Sequence, residues 1–172
     1  MTRVAGILLS ICYAAGAASL QKDGEALFDQ CEFKAAARVF ERALASEPEN
    51  AQLHFWLGRS YERMADVASP FSARRTARKA EFHLVAALRR DPRNREYMRE
   101  LFDFYLDSPE WFDGGLTRAR MVLERLGPND EDSETLNRML AQSRKAYGGR
   151  EWAFGRPILR FSGAAGYLSP WK

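Results

Sequence analysis

Between residues 35 and 61 the chain reads AAARVFERALASEPENAQLHFWLGRSY, and its small and apolar positions fall into two helical rhythms separated by a proline. Ala36, Phe40 and Ala43 recur three and four residues apart, as one stripe of a helix does, and beyond Pro48 the residues Leu57, Gly58 and Tyr61 do the same. Stripes that alternate small and large side chains suit two helices that cross closely. The small residues allow the approach, and the large ones fill the grooves beside it. A helix, a proline turn and a second helix are the elements this stretch predicts.

The pattern recurs. Gly24, Leu27, Ala36, Phe40, Ala43 and Pro48 form a first copy, and Gly58, Tyr61, Ala80, Leu84, Ala87 and Pro92 occupy the same sites in a second. Gly24 to Gly58 is a step of 34 residues, whereas Pro48 to Pro92 is 44, so ten residues are inserted within the second copy. Ser69 and Pro70 read as an N-cap and a first-turn proline, and from Ala73 to Leu88 the apolar stripe is unbroken. The insert is therefore expected to lengthen both helices of that copy by about one and a half turns each, with a surface loop as the alternative. A third copy is looser: Leu101 and Tyr105 fit, Phe102 replaces the small residue, and Gly115, Ala119, Val122 and Pro128 follow after a turn enlarged to SPEWFDGG at residues 108–115. Leu136, Met139, Leu140, Ser143 and Tyr147 then recur at helical spacing and suit one capping helix.

A leucine-glycine pair before a tyrosine, then Ala, Phe, Ala and Pro at a period of 34 residues, resembles the tetratricopeptide repeat, strongly in the first two copies and moderately in the third. The resemblance implies an all-α fold: a short right-handed α-solenoid of about three helix-turn-helix repeats, at about 19–50, 51–94 and 95–130, closed by a capping helix at 133–147. It also implies a protein or peptide partner lying along the concave face, which the first helix of each repeat lines. Carried onto this chain, that face holds Gln21, Glu25 and Phe28, then Phe55, Arg59, Glu62 and Arg63, then Glu96, Arg99 and Asp103, with Phe55 as a candidate anchor and Arg59 as a candidate carboxylate fork. Some members of the family hold a partner's terminal carboxylate with a lysine and asparagine clamp. The matching sites here are Gln21, Glu25, Phe55 and Arg59, so that specificity does not transfer.

Outside the repeats the composition changes. Residues 1–18 have Arg3 as their one charge, then an apolar run and small residues at 14–18, which reads as a signal peptide cleaved after Ala17 or Ala18 and a periplasmic or secreted destination. A retained or lipid-anchored N-terminus is the alternative. Cleavage leaves Cys31 as the one cysteine, which rules out an intramolecular disulfide and is expected to be a small buried apolar residue. Residues 148–172 combine glycines with Trp152, Phe154, Phe161, Tyr167 and Trp171 and several basic residues; such a tail could fold back, dock on a partner or touch a membrane surface.

Charge and chemistry narrow the function further. The whole chain carries a formal +3, too near neutral to argue for nucleic acid as a partner. The distribution is uneven: nine arginines and lysines lie from Arg74 to Arg99 against Glu81, Asp91 and Glu96. A second reading follows, an envelope-associated structural or peripheral membrane component using the basic stretch 74–99 and the aromatic tail. His54 and His83 are the only histidines and stand 29 residues apart; His54 falls at a core-facing site, and neither has a metal-ligand neighbour at useful spacing. No nucleophile and base, phosphate-cradling loop or set-apart carboxyl pair emerges, so neither catalysis nor a cofactor or metal is expected. Self-association through uncovered repeat ends stays open.

Overall fold

The computed structural model describes residues 2–108, 115–126 and 131–147, and these form seven α-helices with no strand. They are α1 (Thr2–Asp29), α2 (Phe33–Ser46), α3 (Ala51–Asp66), α4 (Pro70–Arg90), α5 (Arg95–Leu106), α6 (Gly115–Leu126) and α7 (Glu131–Tyr147). The protein is all-α. Most of the enlarged turn (109–114), Pro128 and the aromatic tail (148–172) lie outside the described residues.

Each helix packs on its neighbours in the chain, and one continuous apolar cluster runs from Ala36 in α2 to Leu140 in α7. The close crossings sit where small residues allow them. A Cβ on Gly24 would lie 2.5 Å from Cε1 of Phe40, and one on Gly58 would lie 2.7 Å from Cγ of Leu84, so α1 on α2 and α3 on α4 touch at distances only glycine permits. Ala36, Ala43, Ala80 and Ala87 are fully buried at the same crossings. Gly115 serves a different end. Its Cβ would meet the backbone oxygen of Tyr105 at 2.6 Å, so the start of α6 rests on the end of α5 and not on a helix flank.

Turn chemistry repeats with the helices. Asn50 and Asn94, each two residues after a proline, cap α3 and α5 from extended backbone. The Asn50 side chain accepts from the backbone amides of Gln52 and Leu53 at 3.0 and 3.1 Å, and Asn94 accepts from that of Tyr97 at 3.2 Å. At the α1 to α2 turn the amide of Cys31 donates to the carbonyl of Phe28 and that of Glu32 to the carbonyl of Leu27, both at 2.9 Å, which is the Schellman closure of a helix end. Its left-handed position is held by Cys31, at φ 62°. Cys31 is exposed, not buried as its sequence context suggested, because that turn projects the residue away from the helix pair.

The ten-residue insert is helical, but its share between the two helices differs from the expectation. α3 runs eight residues past Gly58 where α1 runs five past Gly24, whereas α4 has 21 residues against 14 in α2. Most of the insert thus lengthens α4, by about two turns. Pro70 at the first position of α4 accounts for the imbalance: it sets the helix start there and confines the turn to residues 67–69. The extended hairpin carries its own small contact, Ala65 with Ala77, apart from the main cluster.

At the other end, α1 continues through Ala17 and Ala18 without a break, and Ala17 is 3% exposed. Among the described residues no helix is long and apolar enough to cross a membrane.

Candidate functional site

Helices α1, α3 and α5 meet side by side along one face. Phe28 of α1 stands edge-on to Trp56 of α3, with ring centroids 5.3 Å apart, and Phe55 of α3 lies 4.7 Å from Tyr97 of α5. Arg59, one turn along from Phe55, extends its guanidinium over Phe28, Trp56 and Phe55 at 5.0, 5.1 and 5.5 Å from the ring centroids. Its Nε donates to Oε1 of Glu100 on α5 at 2.9 Å. One cation therefore ties three helices together, held by ring quadrupoles on one side and a carboxylate on the other.

The ten residues assigned to this face divide by burial. Gln21 and Glu25 are part-buried and bonded to each other at 2.8 Å, Phe28, Arg59, Arg63 and Asp103 are part-buried, and Glu96 and Arg99 are exposed. Phe55 and Glu62 are 2% and 1% exposed, which corrects the expectation that they stand clear of the packing. The reason for Phe55 is Tyr97, which covers it from α5. Phe55 is therefore not available as an anchor, and the half-exposed rings on this face are Phe28 and Trp56. Arg59 is already engaged by Glu100, so as a carboxylate fork it would have to exchange one carboxylate for another.

Burial also tunes carboxyls here. Asp66, at the end of α3, is pushed up to about 7, mainly by loss of water, with Arg63 opposing and Asp107 adding slightly. Asp103 is pushed up to about 6 by burial, with Arg99 opposing. On the other side of the fold Glu81 of α4 is fully buried and accepts from Nη1 of Arg118 on α6 at 3.2 Å.

The two histidines, remote in sequence, meet between α3 and α4. Nδ1 of His54 lies 3.0 Å from Nδ1 of His83, and Nε2 of His54 lies 3.0 Å from the carbonyl oxygen of Pro48. A carbonyl can only accept, so Nε2 of His54 carries a proton. In the neutral ring its Nδ1 is then an acceptor, and His83 must donate from Nδ1, leaving Nε2 of His83 as the bare nitrogen. Burial lowers both rings below 6.5, His83 to about 4 with help from His54, Lys79 and Arg90. Tyr61 stacks on His83 and donates to Glu41, while Nζ of Lys79 donates to the Tyr61 oxygen at 3.2 Å. Sequence spacing concealed this pair. The available signal was the crossing itself, because antiparallel helices that set Leu84 on Gly58 carry positions 54 and 83 to within about one and a half turns of each other. Among the described residues no group of three or more His, Cys, Asp or Glu is placed to hold a metal ion.

Comparison with protein-family models yields no match, and comparison with curated proteins yields none either.

Proposed function

We propose that this chain is an exported helical-repeat scaffold of the tetratricopeptide type, a short solenoid that holds a protein or peptide against the face formed by α1, α3 and α5 and carries out no chemistry on it. The observation that carries the reading is the lateral join of those three helices through Phe28, Trp56, Arg59 and Glu100, which leaves half-exposed rings beside ionic groups of both signs along a continuous surface. Such a surface suits an extended polypeptide, whose apolar side chains would lie on Phe28 and Trp56 while Glu96, Arg99 and Asp103 meet its polar ones. The repeated proline, asparagine cap and small-residue crossings support the repeat assignment, and the apolar segment before Ala18 supports export.

Site-specific photocrosslinking tests it. A benzoylphenylalanine at Gln21, Glu96 or Arg99 is expected to capture a polypeptide in cells, whereas one at Arg42 on α2 or at Glu124 on α6 is not. Capture from α2 and α6 alone, or no polypeptide captured from any of the five, would refute the reading.

A further inference from the structure

The large apolar side chains that the described residues leave exposed are Val67, Phe71, Phe82 and Met121, and three of these four belong to the α3 to α4 hairpin. Phe71 is 96% exposed and Phe82 65%. They are eleven residues apart on α4, so at 100° per residue they share one face, separated by about 16 Å along the axis. Residues 75, 78 and 89 fall within about 40° of the same line, and all three are arginines. The opposite side of α4 holds Ala80, Leu84, Ala87 and Leu88, which are buried in the main cluster. α4 therefore has two apolar sides. One is consumed by the core, and the other presents rings and guanidinium groups to solvent.

The sign of the charge on this face is as one-sided as its rings. Glu81 is the single acidic residue of α4, and it is fully buried and held by Arg118. Its carboxylate, which in the sequence offsets the basic stretch, does not reach the surface. Arg75 and Arg89 are exposed, and Val67, 81% exposed in the turn before α4, adds apolar area at the tip of the hairpin. The helix is extended here beyond what the repeat needs, and the extension is where Phe71, Arg74 and Arg75 sit.

We propose that the outer face of α4, from Val67 and Phe71 to Phe82 and Arg89, docks on the headgroup layer of an anionic phospholipid membrane. A straight helix lying in that layer would bury the two rings at the boundary with the acyl chains while the arginines between them stay at the level of the phosphates. An acidic protein or a nucleic acid would also attract the arginines, but a protein groove takes a continuous apolar ridge, whereas here only Arg75 and Arg78 stand between the two rings on their line, and a nucleic acid offers the rings no apolar phase. A deformable headgroup layer receives each ring separately, with the arginines at the phosphates. This surface is distinct from the α1, α3 and α5 face and does not depend on its assignment.

The full chain is tested by co-sedimentation with vesicles of phosphatidylglycerol in phosphatidylcholine and with vesicles of phosphatidylcholine alone. Binding is expected to favour the anionic vesicles, to weaken as salt is raised, and to fall at least about tenfold in Phe71→Ser/Phe82→Ser and in Arg75→Glu. Arg99→Glu, on the other face, binds as the unaltered chain does. Phe71→Ser alone, at a nearly fully exposed position, gives a smaller loss and answers the question even if the Phe82 change disturbs its edge contact with His83. Equal binding to both vesicle types, wild-type binding by the Phe71→Ser variants, or tighter binding to polyglutamate or to a single-stranded oligonucleotide than to anionic vesicles would each overturn the proposal.

Discussion

Single side chains in this protein are set by what surrounds them more than by their type. Cys31 occupies the left-handed residue of a Schellman closure, where a Cβ is crowded by the backbone and glycine is not. Cys31→Gly is expected to raise unfolding free energy by about 1 kcal/mol in urea denaturation; a loss of stability would mean that the thiol makes a contact worth more than that strain. The neutral histidine pair makes a second prediction. His83 titrates near 4 in the folded protein and near 6.5 when unfolded, so between those values the unfolded chain binds more protons. Its contribution is complete above pH 6.5 and is lost as pH falls toward 4. Asp66 and Asp103 act with the opposite sign, because their raised values make the folded protein the better proton binder and their penalty grows as pH rises toward 7. The histidine share is isolated by comparison: between pH 7 and pH 4 the wild type should lose more stability than His54→Gln/His83→Asn, which cannot titrate there. Equal losses would show that the pair is not held neutral.

At the scale of helices, the determining feature is contact at glycine. A methyl group on Gly58 would overlap Cγ of Leu84 at 2.7 Å and approach the Leu84 backbone nitrogen at 3.0 Å, so a rotamer change alone cannot relieve it and α4 must move. Gly58→Ala should cost about 1 to 3 kcal/mol although alanine is the better helix former, a sign that packing overrides propensity. An unchanged melting temperature would indicate that α3 and α4 are not as close as described. The helix starts obey simpler rules: asparagine two residues beyond a proline caps α3 and α5 alike, with its side-chain amide returned to Glu47 at 2.7 Å or Asp91 at 3.0 Å.

At the scale of the molecule, chain neighbours supply most of the packing among the described residues, and Arg59 and Arg118 each join helices that are not consecutive. Arg59 links α3 to α1 and α5, and Arg118 links α6 to α4. The second link closes on Glu81, which is fully buried, so removing Arg118 takes away a cation that compensates this carboxyl in the core. Arg118→Ala is expected to destabilise by about 3 kcal/mol, and Glu81→Gln in the same chain should recover part of that loss, read as a double-mutant cycle. Additive losses would mean that the two residues do not act as a pair.

The order of helices, the turns and the crossing residues were legible in the chain because they depend on local periodicity and on side-chain size. Ala36, Phe40, Gly58, Leu84 and Ala87 lie where their spacing put them, and the insert at 70 is helical as its apolar rhythm required. What the linear pattern could not reveal is which residues of different helices face one another. Spacing sets Phe55 and Glu62 on one stripe of α3 with Arg59, yet both are buried; Tyr97 covers Phe55, and that depends on how far α5 leans over α3. His54 meets His83, and Arg59 meets Glu100, across separations that no helical repeat encodes. The exposure of Phe71 and Phe82 has the same origin: periodicity marks an apolar residue, but only the position of neighbouring helices decides whether it is covered, and among the described residues no helix covers these two rings.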